Sequence, residues 1–389
     1  MATETRKEGR LRGRRAALLA LATAGSVAAL GRFDWLGLLS RPLTGGGEAV
    51  RMQPVRTPPT MFDSHLGEDL LRTFREMPER DGSVALVLGN SQQYTSSLPR
   101  GATIQPDYLV ESAMGLVSTA LEKAYPGRWR VYVAAAPNQN FAESLWQCIY
   151  HFKVAKTAPG AVIVQSSFDT FRKVKIRPGF QTLLRDEAFA IALERLVATK
   201  GSRAWADEFR AAIAEDAARQ TVASTTKPKT VEQRLKDGLE LLPLYAKRQS
   251  HRTSFLNTLY LARVHALGIS PTTKRNITGH PLAQNFEALE DLLDLAKNSG
   301  ALIVVYNAPV NPGVDMFFKD EYEAYLARLT GLVESVGGHF ADLGAAVEQE
   351  HWGYWIDGPD PIHFDERGHQ ELAVQFTAAF GAAFNGGHR

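Results

Sequence analysis

A single cysteine, Cys148, stands among the 389 residues, so no intramolecular disulfide can form and no cysteine cluster can hold a metal. The ten histidines are scattered, without a His-Glu-x-x-His pattern, so no metal site is expected. No Walker A motif and no Gly-x-Gly-x-x-Gly after a strand pattern occurs, and no nucleotide or other cofactor is implied. Charge of one sign is also lacking: 44 Lys and Arg against 42 Asp and Glu leave a formal net charge of +2. A chain so balanced lacks the basic footprint of a nucleic-acid binder. There is no internal repeat and no long low-complexity tract. What remains, 44% hydrophobic and 22% charged, is the composition of a globular chain with ample core.

The first forty residues differ from the rest. Arg6, Lys7, Arg10, Arg12, Arg14 and Arg15 precede an apolar and small-residue run from Ala16 to Leu30. A basic stretch before about 15 apolar residues is the pattern of a secretory signal or signal anchor, although a comfortable transmembrane helix needs about 20. The positive-inside bias places such an N-terminus in the cytoplasm and the remainder outside. The expectation is an inner-membrane anchor at 1–40 with the rest in the periplasm or outside the cell, or secretion after cleavage. A buried N-terminal helix is the alternative. Residues 41–60, with Gly45–Gly47, Pro54, Pro58 and Pro59, read as a linker, and an amphipathic segment follows at 62–77.

Five short β-branched or apolar runs bounded by turn signals read as strands: 84–88, 130–135, 161–165, 302–306 and 339–343. Helical patterns separate them at 108–125, 141–155 and 322–335. This alternation predicts an α/β fold with a central parallel sheet covered on both faces, whose ligands sit at the carboxyl ends of the strands. The globular domain then spans 61–180 and 299–389, interrupted by a helical insertion at 181–298 between the third and fourth strands. Helical patterns fill the insertion at 181–197, 204–220, 231–267 and 282–297. It is either a cap over the site or a decoration. Cys148 falls on a helix and reads as core.

Two motifs about 270 residues apart carry the chemistry. Gly89-Asn90-Ser91-Gln92 follows the first strand, and Asp360-Pro361-Ile362-His363 precedes a helical pattern at 371–379. A serine in the turn after a strand can point into the crevice. A carboxylate three residues before a histidine can hold its tautomer. Ser91, His363 and Asp360 are thus candidate nucleophile, base and orienting acid. Asp357, Asp365 and His369 are rivals for the last two roles. Asn90, Asn138, Gln139, Ser167 and Asn307, all at strand ends, are candidate oxyanion or substrate contacts. Each has a plainer reading as a turn or cap residue, and Asn140 reads better as a helix N-cap.

Serine after the first strand and Asp-x-x-His before the last helix resemble the SGNH/GDSL hydrolase superfamily. The resemblance implies a three-layer α/β/α flavodoxin-like fold over about 83–169 and 300–380, with Ser91, His363 and Asp360 as the triad. The chain departs from the usual blocks. It has Gly89-Asn90-Ser91 for Gly-Asp-Ser, Asn138-Gln139-Asn140 where a glycine is usual, and Gln165-Ser166-Ser167-Phe168-Asp169 for Gly-x-Asn. Those departures, the N-terminal run and the stretch Asn307-Ala308-Pro309-Val310-Asn311-Pro312 resemble an extracytoplasmic branch. That branch includes the D-alanyl transfer protein and the SGNH-like proteins of exopolysaccharide O-acetylation. It implies a serine esterase or O-acyltransferase acting on a cell-envelope or secreted glycan, beside a membrane-bound O-acyltransferase. The alternative is a non-catalytic glycan-binding or scaffolding subunit of a polysaccharide-modification complex.

Overall fold

In a computed structural model the described residues are 84–93, 112–136, 138–155, 158–224, 274–355 and 358–386. The N-terminal run, the linker, the segment at 62–77 and the helical pattern at 231–267 lie outside them.

Five strands pair in parallel: β1 (Val84–Leu88), β2 (Arg130–Val133), β3 (Ala161–Ser166), β4 (Leu302–Asn307) and β5 (His339–Asp342), in the order β2-β1-β3-β4-β5. All five residues of β1 are buried, as a continuous Val-Ala-Leu-Val-Leu run requires of a central strand covered on both faces. Successive side chains point to opposite faces. Val84, Leu86 and Leu88 accordingly enter one core, while Ala85 and Val87 enter the other. Val162 and Val164 on β3, and Ile303 and Val305 on β4, follow the first group.

That first core lies beneath α2 (Phe141–Ile149), α3 (Glu187–Thr199), α4 (Ala206–Ser224), α5 (His280–Asn298) and α6 (Lys319–Ser335). The second lies beneath α1 (Ala113–Ala124) and α7 (Glu366–Gly386). The α/β expectation therefore holds as three layers. Local chemistry starts the helices where they start. Ser112 caps α1 by accepting from the Gly115 N–H, and Asp186 caps α3 by accepting from Phe189. Asn140 and Glu143 form a capping box on α2. Beyond α2 the helix widens into one π-helical turn, Tyr150–Val154.

The region between β3 and β4 divides. A parallel connection needs a covering element, and α5 supplies it by packing along α2 and against β4. Helices α3 and α4 extend the same layer outward. Trp146 of α2 is fully buried edge-on to Phe189 and Phe209, with ring centroids 5.5 and 5.4 Å apart. Each ring so buried contributes roughly 1.5–3 kcal/mol.

A second sheet, absent from the sequence expectation, is the hairpin of β6 (Trp352–Trp355) and β7 (Gly358–Phe364). It makes the segment around Asp360 and His363 an extended strand. The final helix ends later than its periodic stretch at 371–379 and also begins earlier, where Asp365 caps it by accepting from the Gly368 N–H. Among the described residues no helix is long and apolar enough to cross a membrane.

Candidate functional site

The strand order places β1 between β2 and β3, so the turn leaving β1 is flanked by the loops that leave both neighbours. Gly89 makes the approach possible. A Cβ there would meet the Gln165 side chain at 2.6 Å, closer than any carbon can sit. Ser91 then opens a single 3-10 turn and is half-buried.

The two distant motifs meet at this point. Ser91 Oγ lies 2.9 Å from His363 Nε2, and His363 Nδ1 lies 3.1 Å from Asp360 Oδ2. Asp360 Oδ1 accepts from the backbone N–H of Ile362 and of His363, at 2.9 and 3.0 Å. Burial opposes ionisation of Asp360. The hydrogen bond and charge of His363 and the two backbone donors outweigh it and hold the carboxyl below its usual value. An ionised Asp360 can only accept, so Nδ1 carries the proton and Nε2 presents its lone pair to the Ser91 hydroxyl.

Three amides hold this arrangement. Gln92 Nε2 donates to the carbonyls of Ile362 and Pro309, at 2.7 and 3.1 Å, tying the serine turn to the strand that bears His363. Its Oε1 accepts from Gln165 Nε2 at 2.6 Å, and Gln165 Oε1 accepts from the Asn90 N–H at 3.0 Å. Asn311 Nδ2 donates to the Asp360 carbonyl at 2.8 Å. The only signal in the sequence was their position at strand ends.

The remaining candidates separate. Asn90 is adjacent to the nucleophile candidate. Its Oδ1 accepts from the Gln92 N–H at 3.0 Å, and its Nδ2 reaches Thr170 Oγ1 at 3.5 Å. Asn138 has φ +56°, the left-handed region that glycine favours and asparagine tolerates best among other residues. Asparagine thus stands in a conformation that suits the glycine usual after the second strand. Gln139 is not brought to the triad. Its side chain is buried, donating to Ser144 Oγ and accepting from Gln147 Nε2 at 2.8 and 3.2 Å. Asn307 is likewise enclosed, bonded to Tyr322, Asp342 and Tyr325 at 2.6, 2.7 and 3.2 Å. Ser167 is half-buried at the exit of β3. Asn140 is the helix cap it was read to be.

The rivals have other work. His369 is fully buried and accepts the Ala113 N–H on Nδ1 at 3.0 Å, at the start of α1. Asp365 caps α7, and Asp357 lies outside the described residues. Cys148 is buried, which pushes its thiol far up and leaves it inert. Among the described residues one group could offer donors to a metal. It comprises Glu348, His351 and Glu371, whose ligand atoms lie within 4.8 Å of one another. Glu371 already accepts from the Glu348 N–H.

No protein-family model matches the chain, and no curated protein matches it in sequence. Comparison of folds finds esterases. One is Est24, a carbohydrate acetylesterase from Sinorhizobium meliloti, at 8% identity and TM-score 0.36 over 77% of this chain and 99% of that one. Another is a catalytic mutant of Axe2, an acetylxylan esterase from Geobacillus stearothermophilus, at 11% and 0.38 over 78% and 96%. A third is a putative GDSL-like lipase from Parabacteroides merdae, at 12% and 0.35 over 78% and 98%.

Proposed function

We propose that the chain is a serine esterase or O-acyltransferase working through Ser91, His363 and Asp360. The observation that carries this reading is the continuous relay from Ser91 Oγ through the His363 ring to Asp360, at 2.9 and 3.1 Å. A nucleophile and its base must approach hydrogen-bond distance, and a third group must orient the base.

The steps follow from those atoms. Ser91 Oγ attacks an acyl carbonyl while His363 Nε2 takes its proton, and Asp360 stabilises the imidazolium. The oxyanion is received by the Ser91 backbone N–H, with the Asn138 turn as the flanking donor. Collapse expels the alcohol, which takes the proton back from His363, and leaves an ester on Ser91. His363 then deprotonates the acceptor, a sugar hydroxyl or water, which attacks the ester carbonyl; the bond to Ser91 Oγ breaks, Oγ takes the proton back from His363, and the acceptor carries the acyl group away.

The finer reading is an extracytoplasmic enzyme acting on a cell-envelope or secreted glycan, served by a membrane-bound O-acyltransferase. Its support is the basic and apolar run at the N-terminus and the resemblance to the exopolysaccharide O-acetylation branch. A scaffolding subunit that keeps the skeleton without the chemistry is the competing reading.

Turnover of an activated aryl acetate separates the two. The reading expects Ser91→Ala to abolish turnover and Asp360→Asn to lower kcat by about 10⁴, because the amide presents the wrong tautomer to His363. Full activity in Ser91→Ala, or none in a well-folded wild type across several acyl donors, contradicts it.

A further inference from the structure

The chain from 173 to 177, just beyond the exit of β3, has no regular structure, yet buried side chains bolt it down. Asn285 Nδ2 donates to the carbonyls of Phe171 and Lys173 at 3.1 and 2.7 Å. Gln284 donates to Val174 at 2.8 Å, and Asn140 donates to Lys175 at 2.9 Å. Glu143 accepts from the Arg177 N–H at 3.0 Å. Asn140 and Glu143 belong to the start of α2, which follows β2. The bolted segment therefore joins the loops after β2 and β3, the two that flank the Ser91 turn. Four fully or nearly fully buried polar side chains fix a stretch of coil whose one core side chain is Ile176. Coil held this firmly at the carboxyl edge of a sheet positions something for a ligand.

What it positions is positive charge. Arg172 and Arg275 share one carboxylate, Asp169. Arg177 has Glu143 at 2.7 Å, and Lys274 has Asp315 at 2.7 Å. Lys173, half-buried, and Lys175, exposed, have no carboxylate partner among the described residues. Burial first, and then the positive charge of Arg172, draws the Lys173 amine down to about 8 against the opposing pull of Asp169 and Glu143. The patch is contiguous with the nucleophile turn, because Thr170, between Asp169 and Arg172, receives the Asn90 amide. A chain with a net charge of only +2 thus concentrates unbalanced cations beside its candidate site.

We propose that the 172–177 segment is an anion-binding rim, and that the substrate delivered to Ser91 is an acidic, carboxylate-bearing glycan. This rests on the serine esterase or O-acyltransferase reading, and its test does not require turnover. Lys173 and Lys175 bind sugar carboxylates, and the Arg172–Asp169–Arg275 network sets the wall beside them.

Binding of oligogalacturonate and of neutral xylo-oligosaccharide to the full chain, followed by calorimetry at two salt concentrations, tests it. Wild type is expected to prefer the acidic oligomer at least tenfold, with the preference falling at high salt. The double variant Lys173→Gln/Lys175→Gln is expected to lose that preference, and Lys173→Arg/Lys175→Arg to keep it with an unchanged Tm. Equal affinity for both oligomers, an undiminished preference in the double Gln variant, or tighter binding of single-stranded DNA than of oligogalacturonate overturns the proposal. Loss of ester turnover with the acidic preference intact would instead count against the Ser91 chemistry alone.

Discussion

At the scale of single residues, the side chain that does most to assemble the site is Gln92. It joins the serine turn to the carbonyl before His363 and to the loop after β4, and accepts from Gln165 at the end of β3. All its polar capacity is used inside the protein. Gln92→Met fills a similar volume but leaves two carbonyls and the Gln165 amide without their partner. We expect a stability loss of about 1–3 kcal/mol, the scale of an orphaned buried polar group. We also expect a roughly 10²-fold slower acylation, since a misplacement of about 1 Å has that consequence. Urea unfolding checks the first, and fluorophosphonate labelling rates, with the His363 imidazole followed by NMR, check the second. Wild-type labelling and an unperturbed His363 in the variant would show that Gln92 only fills space. Ser91 and the Asp-x-x-His pattern were legible because each is a local motif. The bonds made by Gln92, Gln165 and Asn311 were not, because they join residues 49 to 270 positions apart.

At the scale of elements, the exit of α2 carries a liability. His151 sits fully buried in the π-helical turn, and burial lowers its pKa to about 3. The unfolded chain binds a proton there below about pH 6.5 while the folded chain does not. Stability is therefore lost as pH falls from about 6.5 towards 3. One proton amounts to about 1.4 kcal/mol per pH unit, or about 2 kcal/mol between pH 7 and 5. Asp360 adds to the acid side with the sign of a depressed carboxyl, losing its contribution as pH falls through its folded value. Urea unfolding of His151→Gln at pH 7 and 5 should show the slope reduced by about one proton. An unchanged slope would mean that His151 takes up its proton in the folded state. Element boundaries also show where sequence reading works. The first strand is found residue for residue, because five apolar residues before a glycine admit little else. The β6–β7 hairpin was missed because Pro359 and Pro361 argue against a strand, and only a segment paired along one side tolerates them.

At the scale of the whole molecule, a parallel sheet brings the carboxyl ends of its strands to one edge. Residues far apart in the chain gather there without a local signal. This is why the fold class and the triad candidates were readable from alternation and motif. The enclosure of Gln139 and Asn307 was not, since burial of an amide depends on what packs over it. The helix at 280–298 belongs for the same reason to the layer over α2 and β4, where a parallel crossover needs cover. The central claim concerns one oxygen atom in that gathered edge, Ser91 Oγ. Its most direct test is the intact mass of the protein after brief exposure to an activated acetyl ester, beside Ser91→Ala. A single added acetyl group on the wild type, absent from the variant, is the result expected. An acetyl carried equally by both, or by neither with the fold intact and larger acyl donors also failing, would contradict the account.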